Sequence, residues 1–363
     1  MPLGPLLVRA DANSQIGTGH FMRCLALAQA WQEQGGSALF LMAPGAAALG
    51  KRLEDEDIRE IRLSAQPAST ADADETAAVA LRNNAAWVAL DGYQFSPDYQ
   101  RALKAKVAHL LLFDDLANTN RYHADVLLNQ NGYAAPEMYF DRAGNCTLLL
   151  GARYFLLRRE FQEWRDHDRQ IPPRARNLLV TFGGSDAENA TEFALQTLAL
   201  LPAAAMNVRV LVGASNPHRA ALERVATKLD HSVEFQTDSK RIAEEMTWAD
   251  VAISAAGSTS WELAFMGLPS LLITASENQH GCAQYLHQHG IAISLGGQSE
   301  VQPAEAAAAL SALAADPARR TAMSSRGRAL IDGRGTERVV ETMAGITSGR
   351  STEILREYRK SNG

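Results

Sequence analysis

The sequence predicts an α/β protein with two doubly wound domains, each built on a parallel sheet. Short apolar runs, typical of buried strands, alternate with helical stretches along most of the chain. The charged stretch 162–176, which contains two consecutive prolines, favours a domain boundary. A length of 363 residues is sufficient for two hydrophobic cores. We therefore expect a Rossmann-like domain over 1–165, a second one over 177–345, and a partly helical tail over 346–363.

The first predicted unit, residues 6–31, consists of a strand, a glycine-bearing loop and a helix. The strand is Leu6–Ala10, and in the loop Gly17 and Gly19 flank a threonine. His20 follows as the first helical residue, with apolar residues at three- and four-residue spacing beyond it. The positive end of the helix dipole disfavours a protonated imidazole, so we expect a neutral His20 that can accept a proton. The alternative interpretation is that His20 merely occupies the first turn of a helix.

Polar or turn residues stand at the carboxyl ends of five apolar strands in the first half. These residues are Asp11, Asp91, Asp114, Asn129 and Gly151. Because ligands bind outside the carboxyl ends of strands in open parallel sheets, we expect a binding crevice at this edge. The elements predicted after the first unit are strands Ala38–Met42, Ile61–Leu63, Trp87–Leu90, Leu110–Phe113, Val126–Leu128 and Leu148–Leu150, and the helix Thr70–Asn83.

The second half repeats the alternation without an internal sequence repeat. Its predicted strands are Leu178–Phe182, Val208–Val212, Val233–Phe235, Val251–Ser254, Ser270–Thr274 and Ile291–Ser294. Its predicted helices begin near Ala187 and His218 and continue with Ser239–Trp248, Thr259–Met266, Cys282–His289, Ala304–Leu313, Ser324–Leu330, Thr336–Met343 and Glu353–Tyr358.

Two loops of the second half combine glycine with hydroxyl side chains directly after a predicted strand. Small residues let backbone N–H groups approach an anion, and the following helix adds its dipole. Two such loops on one sheet suit a diphosphate, although Ser and Thr are also good helix caps. The residues that we expect to bind the diphosphate are Gly184, Ser185, Gly257, Ser258 and Thr259.

Further polar side chains are suited to the rest of a nucleotide sugar. Glu262, one turn into a helix, can accept hydrogen bonds from both ribose hydroxyls, or it can simply stabilise the helix dipole. Asn278 and Gln279 follow a strand end and suit sugar hydroxyls, although turns also favour such residues. Arg158 can bind a pyrophosphate in bidentate fashion, but Arg159 beside it leaves the choice open.

Composition excludes several classes of function. The net charge of −6 and the lack of a Lys/Arg run disfavour nucleic acid and anionic membranes as partners. Three scattered cysteines form no CxxC pair, and with no signal-peptide pattern they favour a cytoplasmic protein. Met22 occupies the third glycine position of a dinucleotide fingerprint, so NAD binding is not expected. We expect no metal and no cofactor.

Taken together, these motifs resemble the UDP-sugar hydrolases of pseudaminic acid biosynthesis, over roughly residues 5–345. The resemblance implies a GT-B fold, with two Rossmann-like domains facing across a cleft, and a second domain similar to the N-acetylglucosaminyltransferase of peptidoglycan synthesis. The segments that carry it are RADANSQIGTGHFMRCLALA, LDGY, FDDLAN, LLNQN, YFLLRREF, VTFGGSDAENAT, ISAAGSTSWELAFMGLP and ENQ.

By this resemblance, His20 matches the base that activates water, and Tyr93 matches a tyrosine near the reacting carbon. Asn278 and Arg158 match residues that contact the substrate. The segment 257–262 matches the UDP-binding loop with its ribose-binding acid. Ala256 departs from the family, in which many relatives have a second glycine, and this weakens the argument for close approach at that position. Gly17 and Gly19 lie in the opening motif and are expected at the substrate.

The implied reaction is hydrolysis of a UDP-linked 2,4-diacetamido-2,4,6-trideoxy hexose to free sugar and UDP, with inversion. The pathway leads to nonulosonic acids used in flagellin glycosylation. Two alternatives remain open from the sequence. One is a GT-B glycosyltransferase that uses a UDP-sugar donor, because the two classes share the UDP motifs. The other is a non-catalytic protein that binds nucleotide sugars.

Overall fold

A computed structural model of the chain describes residues 3–12, 18–44, 47–184, 186–202, 206–213, 216–237 and 241–349. These residues form two compact units, each with its own parallel sheet and hydrophobic core. The first unit comprises 3–12, 20–159 and 334–349, and the second comprises 18–19 and the described part of 160–333. No helix within these ranges is both long enough and apolar enough to cross a membrane.

The first unit is a sheet of parallel strands connected by helices. Its strands are β1 (Leu6–Ala10), β2 (Ala38–Met42), β3 (Arg59–Arg62), β4 (Trp87–Asp91), β5 (Leu110–Phe113), β6 (Val126–Asn129) and β7 (Thr147–Leu150). The α-helices between residues 19 and 162 are α1 (Gly19–Glu33), α2 (Ala47–Glu54), α3 (Thr70–Arg82), α4 (Pro97–Lys104) and the single turn α5 (Arg159–Gln162). The strand order is β3-β2-β1-β4-β5-β6-β7, so the direction in which strands are added reverses between β1 and β4.

The second unit has the same topology with one strand fewer. Its strands are β8 (Asn177–Thr181), β9 (Asn207–Val212), β10 (Ser232–Thr237), β11 (Val251–Ala255), β12 (Ser270–Thr274) and β13 (Ala292–Gly297). Its helices are α6 (Ala190–Leu198), α7 (Arg219–Ala226), α8 (Ile242–Trp248), α9 (Ser258–Phe265), α10 (His280–Gln288), α11 (Pro303–Ala315) and α12 (Pro317–Leu330). The order β10-β9-β8-β11-β12-β13 reverses between β8 and β11. In such sheets the ligand crevice lies at the reversal, outside the carboxyl ends of the strands.

Both faces of the first sheet are covered, which explains why its interior strands are almost entirely apolar, whereas the edge strand β3 carries three charged residues. Leu6 and Val8 of β1 point into a core shared with α1, whereas Leu7 points to the opposite face, into a core shared with α3 and α4. Side chains alternate along a strand, so a central strand buried on both faces needs apolar residues at nearly every position. Arg9 is the exception in β1, and its partners are described below.

The last described helix, α13 (Gly335–Thr347), belongs to the first unit, although the sequence analysis assigned residues up to 345 to the second domain. Val339, Val340 and Met343 pack in the core around α1. Trp87 Nε1 of β4 also donates a hydrogen bond to Thr347 Oγ1, at 2.8 Å. The chain therefore returns to its first unit after completing the second, which no local sequence pattern predicts.

The predicted fold class of two Rossmann-like α/β domains is confirmed, and each predicted strand matches one in the structure within about three residues. Helices α2 and α4 were not predicted; each has only 8 residues, which is about two turns. The helix predicted at Glu353–Tyr358 lies outside the described residues.

Candidate active site

The reversal in the first sheet brings His20, at the start of α1, next to Asp91, the last residue of β4. His20 Nδ1 lies 2.6 Å from Asp91 Oδ1. Two lone pairs cannot approach so closely, so a proton lies between these atoms. Both residues are buried, with His20 8% and Asp91 0% exposed. The carboxylate thus fixes the orientation of the imidazole and places its proton on Nδ1.

Arg23, one turn after His20 on α1, joins Asp91 to Asp115. Its Nε and Nη2 donate to the two oxygens of Asp91 at 2.6 and 2.7 Å. Its Nη1 donates to both oxygens of Asp115 at 2.8 and 2.9 Å. A planar guanidinium is suited to this arrangement, because it can hold two carboxylates at fixed angles.

The charges in this cluster keep both carboxylates ionised. Burial by itself would raise the pKa of Asp91, but the charges of Arg23 and His20 and their hydrogen bonds hold it well below its usual range. Burial likewise opposes ionisation of Asp115, and again Arg23 outweighs it, so the pKa of Asp115 is lowered. The proton shared by His20 and Asp91 therefore resides on the imidazole, and the neutral ring carries its basic lone pair on Nε2.

Tyr93, two residues beyond β4, packs against His20 and is tied to the same cluster. The two rings meet edge to face, with their centroids 4.8 Å apart. Tyr93 Oη donates to Asp115 Oδ2 at 2.8 Å, and Asn131 Nδ2 donates to Asp115 Oδ1 at 2.8 Å. The side chain of Tyr93 is nevertheless half exposed. The structure thus brings together the two residues that the sequence analysis named as catalytic.

A second ionic network stabilises the end of β1. Arg9 is fully buried and donates to Asp72 of α3 at 2.8 and 3.0 Å and to Asp11 at 2.6 and 2.9 Å. Tyr99 Oη adds a hydrogen bond to Asp72 at 2.9 Å. Asp11 in turn accepts from the backbone of Ala43 at 2.8 Å. This network orients the start of the loop that leads to His20.

In the second unit, the loop after β8 approaches β9 too closely for any side chain. Gly183 has a positive φ of 83°, which favours glycine. A Cβ on Gly213, at the end of β9, would lie 2.0 Å from the carbonyl oxygen of Gly184. Asp186 then caps α6 by accepting from the backbone N–H groups of Ala190 and Thr191, at 2.8 and 3.1 Å. Ser185 and Gly17, both predicted at the substrate, lie outside the described residues.

The loop after β11 differs from the prediction in how α9 is capped. Gly257 occupies the N-cap position, and Ser258 is already the first helical residue, so neither Ser258 nor Thr259 caps the helix. Glycine offers no side-chain acceptor for the N–H groups of the first turn, which suits a site for an external anion. Ser260 Oγ donates back to the Gly257 carbonyl at 2.5 Å. Glu262 is buried on the same helix, 8% exposed.

The predicted sugar-binding amides lie in a single 3-10 turn, Glu277–Gln279, between β12 and α10. Gln279 Oε1 accepts from the backbone of Ala275 at 3.0 Å, and Asn278 Oδ1 accepts from Ser276 Oγ at 2.6 Å. A polar pocket of about 430 Å³ opens beside this turn at the carboxyl ends of β12 and β13. Glu277 and His280 line it, whereas the two amides do not.

Arg158 is buried, only 5% exposed, instead of being the exposed arginine that is the ordinary expectation. Its neighbours hold the backbone in place, because Leu157 N donates to Thr336 Oγ1 at 3.1 Å and Arg159 N donates to Gln29 Oε1 at 2.9 Å. Arg159, the competing candidate, forms ion pairs with Glu33 and Glu56 at 2.7 and 3.2 Å. These pairs give Arg159 a structural role.

Sequence reasoning placed Asp91 at the predicted crevice without assigning it a role, and it did not identify Arg23 or Asp115 as functional residues. Two local signals were present: His20 and Arg23 share a helix face at three-residue spacing, and the two aspartates end or follow neighbouring strands. Within the described part of the chain, no group of three or more His, Cys, Asp or Glu side chains is arranged to hold a metal ion.

The chain is similar to known proteins in its second half and, more weakly, over most of its length. Residues 177–334 match the model of the glycosyltransferase family 28 C-terminal domain. The chain is 27% identical to the UDP-2,4-diacetamido-2,4,6-trideoxy-β-L-altropyranose hydrolase of Campylobacter jejuni, over 78% of this chain and 97% of that protein. It is 22% identical to an uncharacterized protein of Methanocaldococcus jannaschii, over 76% of this chain but only 57% of that protein.

Two further matches concern glycosyltransferases. A UDP-N-acetylglucosamine–N-acetylmuramyl-(pentapeptide) pyrophosphoryl-undecaprenol N-acetylglucosamine transferase of Stutzerimonas stutzeri is 30% identical, over 48% of this chain and 50% of that protein. Among solved structures, MurG of Acinetobacter baumannii superimposes with a TM-score of 0.66 at 19% identity, covering 94% of this chain and 99% of that one. This likeness confirms the GT-B fold.

Proposed function

Because the chain has the GT-B fold and is similar over 78% of its length to a UDP-sugar hydrolase, we propose that it hydrolyses a UDP-linked 2,4-diacetamido-2,4,6-trideoxy hexose to free sugar and UDP. The observation that carries the proposal is the 2.6 Å contact between His20 Nδ1 and Asp91 Oδ1, which makes Nε2 the basic atom of the ring. The assignment to pseudaminic acid biosynthesis in the cytoplasm, with flagellin glycosylation downstream, rests on the resemblance of the sequence motifs alone.

In this mechanism His20 Nε2 accepts a proton from a water molecule as the water oxygen attacks the anomeric carbon. The bond between that carbon and the β-phosphate oxygen breaks, and its electron pair leaves with UDP. A single displacement inverts the anomeric configuration. Asp91 stabilises the imidazolium that forms, as a buried carboxylate does in other dyads with histidine. Tyr93 contacts the sugar beside His20.

The second unit supplies the binding site for UDP in this proposal. Backbone N–H groups at Gly184 and at the start of α9 bind the diphosphate, together with the hydroxyls of Ser258 and Thr259, and Glu262 accepts the ribose hydroxyls. Asn278 and Gln279 bind the sugar, and Arg158, which belongs to the first unit, adds a positive charge for the pyrophosphate. A diphosphate leaves as a stable anion, so the mechanism needs no strong general acid and we propose that it is metal-independent.

A glycosyltransferase is the second candidate, because about half of the chain is 30% identical to a transferase that uses UDP-N-acetylglucosamine. In a transferase the same histidine would deprotonate an acceptor hydroxyl instead of water. The two reactions are distinguished by their products when no acceptor is present.

Hydrolysis in ¹⁸O-labelled water tests the proposal directly. The purified chain is incubated with a panel of UDP-sugars, and UDP release and the products are followed by NMR and mass spectrometry. We expect rapid release of UDP from the diacetamido-trideoxy substrate, with ¹⁸O in the free sugar and none in UDP. Label in UDP would instead indicate attack at phosphorus. Release only after addition of an acceptor would indicate a transferase, and an epimerised UDP-sugar would indicate an epimerase.

The role of His20 is tested by His20→Asn, with His123→Asn as the matched control. His123 precedes β6 and so lies at the opposite, amino edge of the same sheet. General-base catalysis contributes about 10²–10⁴-fold, so His20→Asn should lower kcat by that factor while the Kd for UDP stays within about twofold. The control should keep wild-type kcat. Full activity of His20→Asn would eliminate His20 as the base.

A further inference from the structure

We propose that Asp115, acting through Arg23, keeps one net negative charge beside the His20–Asp91 pair and thereby strengthens His20 as a base. Asp115 is a positioning residue here, because Arg23 bonds to both carboxylates and so links it to Asp91. The catalytic consequence rests on the proposed function, whereas the effect on His20 can be measured without any substrate.

The need for a second carboxylate follows from the position of Arg23. Its Nη2 lies 3.0 Å from His20 Nδ1, so a full positive charge sits beside the ring that must become positive during the reaction. Arg23 also makes two hydrogen bonds to Asp91. Without Asp115, the guanidinium would cancel the charge of Asp91, and the imidazolium would face a pair with no net charge.

With Asp115 present, two ionised carboxylates surround one guanidinium and one negative charge remains. Among the described residues, Cys24 and Tyr93 are the other polar groups that contact this cluster beside the ring, and neither changes this balance. Burial raises the pKa of the Cys24 thiol well above its usual value, so the thiol stays neutral. The Tyr93 hydroxyl keeps its proton, which it donates to Asp115. The imidazolium therefore forms beside one net negative charge, and this charge is lost when Asp115 is removed.

The contacts of Asp115 hold it in the ionised state that this role needs. It accepts hydrogen bonds from Arg23, Tyr93 and Asn131, at 2.8 or 2.9 Å. These three side chains make four hydrogen bonds to the two oxygens of Asp115, which favours the ionised carboxylate. An aspartate whose purpose was only to tie loops together would not need to bond the guanidinium through both oxygens.

The direct test is an NMR titration of the His20 imidazole in the wild type and in Asp115→Asn, with His20→Asn used to assign the signal. Removing the negative charge destabilises the imidazolium, so the titration midpoint should move to lower pH by about one unit, the order of effect of one nearby charge. Arg23→Gln removes the positive charge instead and should move the midpoint to higher pH. Shifts of opposite sign cannot come from general loosening of the fold.

Asp114→Asn is the matched control, because Asp114 is the adjacent residue and a half-buried carboxylate that accepts a hydrogen bond from Tyr139 Oη at 2.7 Å. It carries the same chemical change outside the cluster and should move the midpoint by less than a third as much as Asp115→Asn. In the hydrolysis assay, Asp115→Asn should lower kcat about tenfold and move the acidic limb of the kcat/KM profile to lower pH, with the Kd for UDP within about twofold.

An unchanged His20 midpoint in Asp115→Asn would overturn the inference even if the enzyme proves to be a hydrolase. A lowered midpoint in a protein that releases no UDP from any substrate would uphold the charge assignment and reject the proposed function. Shifts of the same sign in Asp115→Asn and Arg23→Gln would also overturn it, because they would indicate that structural disruption, not charge, controls the titration.

Discussion

Replacing Asp91 by asparagine should disable His20 without removing it. Each oxygen of Asp91 accepts two hydrogen bonds: Oδ1 from His20 Nδ1 and Arg23 Nη2, and Oδ2 from Arg23 Nε and Cys24 Sγ. In Asp91→Asn one oxygen becomes an NH2 donor. If it faces His20, it donates to Nδ1 and forces the ring proton onto Nε2, which removes the base. If it faces Arg23 Nε, two donors collide and the orientation of the cluster is lost.

The expected fall in kcat follows from what the contact between His20 and Asp91 does. The base contributes about 10²–10⁴-fold, and Asp91→Asn removes its orientation, its tautomer and the charge that stabilises the imidazolium. We therefore expect kcat to fall by about 10²–10⁴-fold, close to the loss in His20→Asn. Residues that act as one unit are not additive, so the double variant should lie within about threefold of His20→Asn.

The assay is the initial rate of UDP release at saturating substrate, with the Kd for UDP measured by calorimetry for each variant. Cys24→Ala is the control, because it removes only the 3.4 Å contact to the same carboxylate, and it should keep kcat within about threefold. If kcat of Asp91→Asn stays within tenfold of wild type, or if the two losses multiply in the double variant, the dyad is not the catalytic unit.

Three further predictions concern stability and UDP binding. Arg9→Met leaves Asp11 and Asp72 buried without a cation, so it should lower the free energy of unfolding by about 3–5 kcal/mol, measured by urea unfolding. The control Arg101→Met removes an exposed ion pair and should lower it by less than about 1 kcal/mol. Arg9 holds the pKa of Asp72 below its usual value of 3.8 despite burial, so this stabilisation is complete at neutral pH and is lost as pH falls through the lowered pKa. The deficit of Arg9→Met should therefore be full at neutral pH and shrink below pH 3.8, and a deficit independent of pH would contradict the assignment. Gly213→Ala places a Cβ 2.0 Å from the Gly184 carbonyl oxygen and should weaken UDP binding about tenfold in calorimetry, whereas an unchanged Kd would separate this loop from the diphosphate. Glu262→Ala should weaken binding of UDP but not of 2′,3′-dideoxy-UDP, and equal losses for both would show that Glu262 does not accept the ribose hydroxyls.

The features that sequence alone predicted are those set by local patterns. Buried strands such as Trp87–Asp91 are visible as apolar runs, and the glycine loop before His20 as a break between strand and helix. His20 could be named because it begins the helix after the glycine loop, whereas Tyr93 was named only from the resemblance to the UDP-sugar hydrolases. Arg23 could not, since an arginine on a helix face is usually solvated and its two partners lie 68 and 92 residues away.

Local sequence patterns also could not predict the burial of Arg9 or the unit to which α13 belongs. An arginine in an interior strand of a parallel sheet contradicts the apolar pattern, and its burial is tolerable because Asp11 and also Asp72, 63 residues away, pair with it. Helix α13 has an apolar face, so its pattern shows that it packs against a core but not against which sheet. Position along the chain suggested the second unit, whereas Val339 and Met343 fill the core of the first.

The two units share one topology, so their different chemistry must come from the residues at the two strand reversals. At the first reversal these are ionisable side chains, His20 and Asp91, held by Arg23. At the second they are glycines and the start of a helix, which offer backbone N–H groups. The first set can move a proton, and the second can only bind an anion. Substitutions at the first reversal should therefore lower kcat, and those at the second should raise KM, whether water or an acceptor hydroxyl supplies the nucleophile.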